Sequence, residues 1–401
     1  MDTNKRTSTE STSETRKKIK LSASDLSWDS LYMNHLFTIE GDNKNLELLI
    51  YDIFMNSWGF EGVHSHPQGE EISLRLRSFI KCIRLSYHMV PYHSFAHATH
   101  VFLSIAVMLH HIQTSGKKFT TVQSPVFTQV ECIALLVASL IHDVDHFGVF
   151  NSTLMKEGHE YSKLYHGKSI AENRSISITF TELSNIDNNF INLMLTPDEL
   201  LIFHKLVIDI VLSTDVADPD RRAVFNSKIV ALFQQIDISI VTVNDVNDFK
   251  CYNEKAVPMK INIGLDQLIE NSEQKSRYVQ MLSNPDSRCT VLMLMMQLCD
   301  IASSTQGITG MKIWVARFIS EQMLAFNNGR MQGVVEVDSF CISQKAFLSS
   351  TVNLISMLKY TEVCSDSWIN VMETNIISNL EYWNEFGEAD TRRWLNSCSR
   401  M

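Results

Sequence analysis

Apolar residues recur through most of this chain at the spacing of an α-helix. They stand at i, i+3, i+4 and i+7 in segments such as 46–54 and 74–83, which places them on one face of a helix. Glycine and proline, which turns require, occur only 14 and 7 times in 401 residues, about half the usual share. The one short β-branched run is "GVVEVDSF". The sequence therefore predicts an all-α protein, a compact multi-helix bundle.

The polarity of the chain divides it into a tail and one long folded region. Residues 1–25 are rich in Ser, Thr, Lys and Arg and lack apolar periodicity, which is typical of disordered segments. The helical pattern then runs over 26–395, interrupted near 244–276 by a polar stretch whose length indicates an inserted loop. We therefore expect a disordered tail followed by a single domain with one loop insertion.

Composition disfavours several classes of function. The formal net charge of −10 argues against a nucleic-acid partner, because such binding depends on clustered Lys and Arg. Apolar runs such as 134–141 fall short of the roughly 18 to 20 residues that span a bilayer, and the N-terminus is too polar for a secretory signal. Eight cysteines without a C-x-x-C pair fit reduced thiols. We expect a cytoplasmic protein without a membrane span, and the sequence is compatible with an oligomer.

Two short segments concentrate histidine and aspartate. They are "YHSFAHATH" at 92–100 and "HDVDHFG" at 142–148. His93 and His97 are four residues apart, so on a helix they share a face. A single histidine on an amphipathic helix is usually a core or surface residue, but imidazole and carboxylate groups in this number favour a metal site.

Asp300 is the third element of this candidate site. It ends a strongly apolar stretch, where an acid is costly without a partner; the alternative is a carboxylate at a helix end or in a loop. A mixed His/Asp set suits a zinc-like ion, and a bridging carboxylate draws a second, harder ion such as Mg²⁺ or Mn²⁺. Two such ions activate water and hold a phosphate, which is the chemistry of phosphoester hydrolysis.

These segments resemble, in the same order, the motifs of one family. "YHSFAHATHV" resembles Y-H-N-x-x-H-A-x-D-V, "HDVDHFGVFN" resembles H-D-x-x-H-x-G-x-x-N, "TD" at 214–215 resembles T-D-M, and "CDIASST" resembles A-D-L-S-N-x-T. Downstream, Trp314 with "ISEQMLAF" is similar to W…E-F-F, and "SQKAF" at 343–347 to Q-x-x-F. From about residue 28 to 383 the chain resembles the catalytic domain of class I cyclic nucleotide phosphodiesterases, within the HD-type metal hydrolases.

The resemblance implies hydrolysis of a 3′,5′-cyclic nucleotide to the 5′-monophosphate with two divalent ions. The implied ligands of the first ion, expected to be Zn²⁺, are His97, His142, Asp143 and Asp300. Asp143 would bridge to the second ion, expected to be Mg²⁺ or Mn²⁺, and His93 would be the general acid for the leaving 3′-oxygen. His146 and Asn151 are implied beside the second ion and Glu172 behind it. The alternative for Glu172 is a solvated helix face.

The same resemblance implies a purine pocket. Gln344 would read the purine edge with its amide, while Phe347 would stack on the ring with Phe318 opposite. Tyr92 is expected among the substrate-binding residues as well. A Q-x-x-F pair on an arbitrary helix is more often one surface and one core residue, so this expectation depends on the upstream motifs.

The chain departs from the family pattern at Ser94, His100, Pro219 and Ser303, and it has "LAFNN" where the family has Q-G-D after E-F-F. These changes leave two alternatives open. One is an HD-type phosphohydrolase that acts on another nucleotide. The other is a regulatory module that binds a cyclic nucleotide without turning it over. The retained metal-ligand set and His93 favour the active enzyme, and the sequence leaves the choice between cAMP and cGMP open.

Overall fold

A computed structural model describes residues 43–57, 59–115, 126–235, 272–331, 335–361, 363 and 366–398. The expected tail over 1–25 lies outside the described residues, as does the expected insertion up to residue 271. The last residues of the stretch expected to be an insertion, from Ser272 onward, belong to a helix. The reason is that Tyr278 and Met281, three residues apart, are buried on one face of that helix.

The described residues form α-helices and short 3₁₀ turns, with no strand among them. The all-α prediction is confirmed, and "GVVEVDSF" runs into a helix that starts at Val337. In chain order the helices are α1 (Asn43–Asn56), α2 (Gly69–Leu85), α3 (Phe95–Ser115), α4 (Gln129–Ile141), α5 (Asn151–Lys156), α6 (Glu160–Leu164), α7 (Ile170–Ser184), α8 (Ile191–Met194), α9 (Pro197–Leu212), α10 (Pro219–Gln234), α11 (Ser272–Ser283), α12 (Pro285–Asp300), α13 (Ile308–Asn327), α14 (Val337–Tyr360) and α15 (Asp366–Cys398).

Polar residues fix where several of these helices start. Thr128 and Glu131 form a capping box at the start of α4, in which each side chain bonds the backbone of the other. Helices α10 and α12 begin with a proline after an N-capping Asp218 and Asn284, respectively. Proline suits a first helical position because its missing N–H would have no partner there. Pro219, a departure from the family pattern, therefore has a structural role as the first residue of α10.

Two helices form the centre of the molecule. Every side chain from Val130 to Ile141 in α4 is buried, as is every one from Cys289 to Cys299 in α12. Helices α3 and α9 both pack against α4, and α12 contacts both of them. Because each central helix is buried all round, its charged residues are confined to its first and last turns, and the residues of interest lie at those ends.

One described helix, α3, contains a segment that is long and apolar enough to cross a membrane by length and composition alone. The segment is Phe95–Ile112, and 83% of it is buried inside the structure. Its neighbours include the equally apolar α4. The apolar surface of α3 is thus covered by other helices of the same chain.

Candidate active site

All four expected metal ligands lie together at the ends of three core helices. His97 lies in the first turn of α3, His142 caps the C-terminus of α4, and Asp300 is the last residue of α12. Asp300 Oδ1 lies 3.0 Å from His97 Nε2 and 3.2 Å from His142 Nε2. Asp143 Oδ2 lies 3.6 Å and 3.2 Å from the same two nitrogen atoms. The fold thus brings together residues that are about 200 positions apart.

The donor atoms of this group fit a divalent cation. His97, His142 and Asp143 each offer a ligand atom, and these atoms lie within 4.8 Å of one another. His142 Nε2 and Asp143 Oδ2 are buried and make no hydrogen bond to the described residues. His142 Nδ1 donates to the carbonyl oxygen of Ser139 at 3.0 Å, which leaves Nε2 with its lone pair towards the group. A buried polar atom without a hydrogen-bond partner destabilises the folded state. These two atoms therefore indicate a site for a bound ion.

His93 is held by a residue that the sequence interpretation did not single out, Glu321. The Glu321 side chain is 1% exposed, and its Oε1 accepts from His93 Nδ1. Its Oε2 accepts the backbone N–H groups of Tyr92 and His93 at 2.8 Å and 2.9 Å. This leaves His93 Nε2 as the nitrogen that can donate a proton. The signal for Glu321 was present, since it is a lone acid on an otherwise apolar face of α13.

His146 belongs to the same group. Its ring lies 4.0 Å from the ring of His93, centroid to centroid, and its Nδ1 accepts the backbone N–H of Gly148 at 3.1 Å. Burial and the neighbouring His93 lower the pKa of His146 to about 4. Burial also opposes the charged form of His93, but Glu321 and Asp143 outweigh it and raise the pKa of His93 to about 9. Of the two rings, His93 therefore carries the proton at neutral pH.

Asn151 and Glu172 form a second polar group, together with Asp215. Asn151 Nδ2 donates to Glu172 Oε2 at 2.9 Å and to Asp215 Oδ2 at 3.4 Å. Burial and the carboxylate of Asp215 raise the pKa of Glu172 to about 8. Glu172 is half-buried and hydrogen-bonded to Asn151, so it does not lie on a freely solvated helix face. Asp215 was noted in the "TD" motif but given no role, and the structure places it against Asn151.

A cavity of about 530 Å³ opens beside the metal-ligand group. All four expected substrate-binding residues line it: Tyr92, Phe318, Gln344 and Phe347. Asp300 lines it as well, so the ligand group forms part of its wall. The Gln344 side chain is buried, and its amide has no hydrogen bond to a residue that the structure describes. The Q-x-x-F pair is therefore not a surface residue beside a core residue.

Two other departures from the family pattern, Ser303 and His100, lie close to this site. Ser303 lines the cavity. His100 is buried, and its Nε2 lies 2.6 Å from Gln306 Nε2, which can donate to it when the imidazole is neutral. Burial and the nearby His97 lower the pKa of His100 to about 3, which keeps it neutral. His100 is thus accommodated as an uncharged core residue next to the metal-ligand group.

Comparison with known sequences agrees with this geometry. Residues 92–374 match the family model for 3′5′-cyclic nucleotide phosphodiesterase. The chain is 29% identical over 194 residues to a probable 3′,5′-cyclic-AMP phosphodiesterase, pde-4, of Caenorhabditis elegans, covering 48% of this chain and 26% of the relative. It is 24% identical over 327 residues to 3′,5′-cyclic-AMP phosphodiesterase 4C of Mus musculus, covering 80% and 39%. The chain thus spans about a quarter to two fifths of the length of these relatives.

Solved structures share the fold. The structure of LmjPDEB1 in complex with IBMX aligns with a TM-score of 0.64 at 18% identity, covering 90% of this chain and 93% of the other. The phosphodiesterase domain of Salpingoeca rosetta rhodopsin phosphodiesterase aligns with a TM-score of 0.62 at 18% identity, covering 92% and 98%. The family match spans well over half of the sequence and contains every expected site residue. The chain therefore belongs to the 3′,5′-cyclic nucleotide phosphodiesterase family.

Proposed function

We propose that this chain hydrolyses a 3′,5′-cyclic nucleotide to the nucleoside 5′-monophosphate and so terminates a cyclic nucleotide signal. One observation carries the proposal: Asp300 is both a member of the metal-ligand group and a wall residue of the cavity that holds Gln344 and Phe347. A nucleotide whose base lay against those two side chains would therefore have its phosphate near the metal-ligand group. The relatives named above as cyclic-AMP phosphodiesterases support the same substrate class.

The metal ions are part of this proposal. His97, His142, Asp143 and Asp300 would hold the first ion, and two imidazoles with two carboxylates suit Zn²⁺. Asp143 would share a carboxylate with a second ion, Mg²⁺ or Mn²⁺, on the side of His146, Asn151 and Glu172. When bound, the ions supply charge neutralisation at the phosphate and activation of water.

Side chains of the protein would bind the base and protonate the leaving group. Phe347 and Phe318 line the cavity and would hold the purine between their rings. His93 would give its Nε2 proton to O3′ as the P–O3′ bond breaks, because an alkoxide is a poor leaving group without that proton. Glu321, by accepting from Nδ1 and from two backbone amides, orients the ring and keeps it protonated.

Glu321→Gln is expected to lower kcat by about tenfold to a hundredfold, less than the loss of a whole general acid. The carboxylate raises the pKa of His93, so its removal lowers that pKa and the protonated form is lost at a lower pH. The basic limb of the kcat–pH profile should move towards lower pH. The matched control is Glu385→Gln, an exposed residue of α15. A profile that keeps its wild-type position would contradict this role.

Gln344 is proposed to read the purine edge. Its amide has a donor and an acceptor, and within the described part of the chain nothing fixes which of them faces the base. Adenine and guanine present opposite patterns at that edge, and rotation of the amide by about 180° would serve either. We therefore propose activity on both cAMP and cGMP, with weak discrimination by Gln344 itself.

Gln344→Ala should raise KM for the cyclic nucleotides by roughly fivefold to 150-fold, which corresponds to about 1–3 kcal/mol for a base left without its partner. The value of kcat should change little, because the base lies away from the reacting phosphate. Steady-state kinetics with both nucleotides measures this, with the exposed Gln280→Ala of α11 as control. An unchanged KM for both would remove Gln344 from the base site.

The proposed function is tested by assaying cAMP and cGMP side by side with Mg²⁺ or Mn²⁺, before and after chelation. We expect metal-dependent release of the 5′-monophosphate. Turnover of other nucleotides in the same panel, with neither cyclic nucleotide hydrolysed, would favour the phosphohydrolase alternative. Tight binding of a cyclic nucleotide without any turnover would favour the regulatory module.

A further inference from the structure

Among the residues that line the cavity, α13 and α14 each place an amide one turn from an aromatic ring. On α14 these are Gln344 and Phe347, three residues apart. On α13 they are Phe318 and Gln322, four residues apart and thus on one face of the helix. Gln322 has been given no role so far. In the family motif W…E-F-F its position, directly after Glu321, is occupied by phenylalanine.

The Gln322 side chain is largely buried, with 6% of the residue exposed, and its amide forms no hydrogen bond with the described part of the chain. A buried amide that forms no hydrogen bond is destabilising. Because Gln322 lines the cavity, water can satisfy the amide when the cavity is empty, and a ligand that displaces this water has to replace its hydrogen bonds.

The surroundings of Gln322 favour a base over a phosphate. One turn earlier lies Phe318, whose ring is 5.4 Å from that of Tyr92 and 6.4 Å from that of Phe340, centroid to centroid. An amide beside aromatic rings suits a flat heterocycle that carries both donors and acceptors on its edge.

We propose that Gln322 is a second base-reading residue, which hydrogen-bonds to the purine of the bound nucleotide and, together with Gln344, determines the preference between adenine and guanine. This inference rests on the proposed function. Two amides on facing helices can contact two different positions of one purine. Guanine carries an amino group at the 2-position where adenine carries only hydrogen, so a contact there adds discrimination that the rotating amide of Gln344 at the 6-position lacks.

The test compares Gln322→Leu with wild type, using KM and kcat for cAMP and cGMP. We expect KM to rise about fivefold or more for at least one nucleotide, the ratio of the two kcat/KM values to change by a similar factor, and kcat to stay within about twofold. Gln322→Met, which keeps the length of the side chain, should behave alike and guards against a folding defect in the leucine variant. Gln280→Leu on the exposed face of α11 is the matched control.

The outcomes separate this inference from the function on which it rests. Wild-type protein that hydrolyses neither nucleotide rejects the proposed function and the inference with it. Wild-type turnover with both KM values unchanged in Gln322→Leu and Gln322→Met rejects the inference alone, most clearly when Gln344→Leu does raise KM. An equal rise in KM for both nucleotides would also overturn the inference, because Gln322 would then contact a group that cAMP and cGMP have in common.

Discussion

Replacing Asp143 with alanine will remove bound metal and lower kcat by about 10³-fold or more. Asp143 Oδ2 lies within 3.6 Å of both His97 Nε2 and His142 Nε2, so its carboxylate is central to the ligand group. Several kcal/mol of transition-state stabilisation come from bound metal ions, and each ~1.4 kcal/mol corresponds to a factor of ten in rate. Elemental analysis of the purified protein and the rate with added Mg²⁺ or Mn²⁺ measure the two effects.

The control for this variant is Asp187→Ala, an exposed aspartate in the loop before α8. It should keep metal content and rate. His142→Ala should also lose metal and rate, but to a smaller extent than Asp143→Ala, because Asp143 is proposed to hold both ions. Wild-type metal stoichiometry and rate in Asp143→Ala would mean that the two-metal proposal is wrong.

His93→Ala is expected to keep its metal and lose about 10²-fold to 10⁴-fold in kcat, the range for the loss of a general acid. The physical basis is that His93 Nδ1 is bonded to Glu321, which leaves one nitrogen for proton transfer and none committed to the ligand group. His97→Ala, four residues away, should lose metal as well as rate. Metal analysis of the two variants therefore separates two histidines of one short segment.

His64→Ala, an exposed histidine distant in sequence from the site, is the control for both variants. If His93→Ala lost its metal while His97→Ala only slowed turnover, the roles of these two residues would be reversed. A leaving group that needs no protonation should restore much of the rate to His93→Ala, because the step that the imidazole serves would then be unnecessary.

Helix content was predictable because burial on one face imposes a spacing that the sequence shows directly. The starts of α10 and α12 carry a sequence signal that formed no part of the prediction, a polar residue followed by proline at Asp218 and Asn284. The helix that begins at Ser272 was not apparent from its polar sequence, because from residue 277 to its end only Tyr278 and Met281 are buried. The polarity of a segment indicates how exposed it is to solvent. A short helix that is half exposed is therefore about as polar as a loop.

The site was predictable where its residues stand in short dense segments, as His93, His97, His142 and Asp143 do. Glu321 and Asp215 were quoted within motifs but given no role. Their partners, His93 and Asn151, are 228 and 64 residues away in sequence. A single carboxylate on an apolar helix face indicates that some partner exists, but only the packing of α13 against the start of α3 shows which one.

The convergence of α3, α4 and α12 on one ligand group links the cation to the folding equilibrium of the whole core. An ion that binds the folded chain and not the unfolded one adds RT ln(1 + [L]/Kd) to stability, about 2.7 kcal/mol at a concentration a hundredfold above Kd. Without it, the carboxylates of Asp143 and Asp300 lie near each other between buried helix ends. The melting temperature should therefore rise with the concentration of free divalent cation. A cell that withdraws the metal would lower the amount of folded protein as well as the rate of hydrolysis.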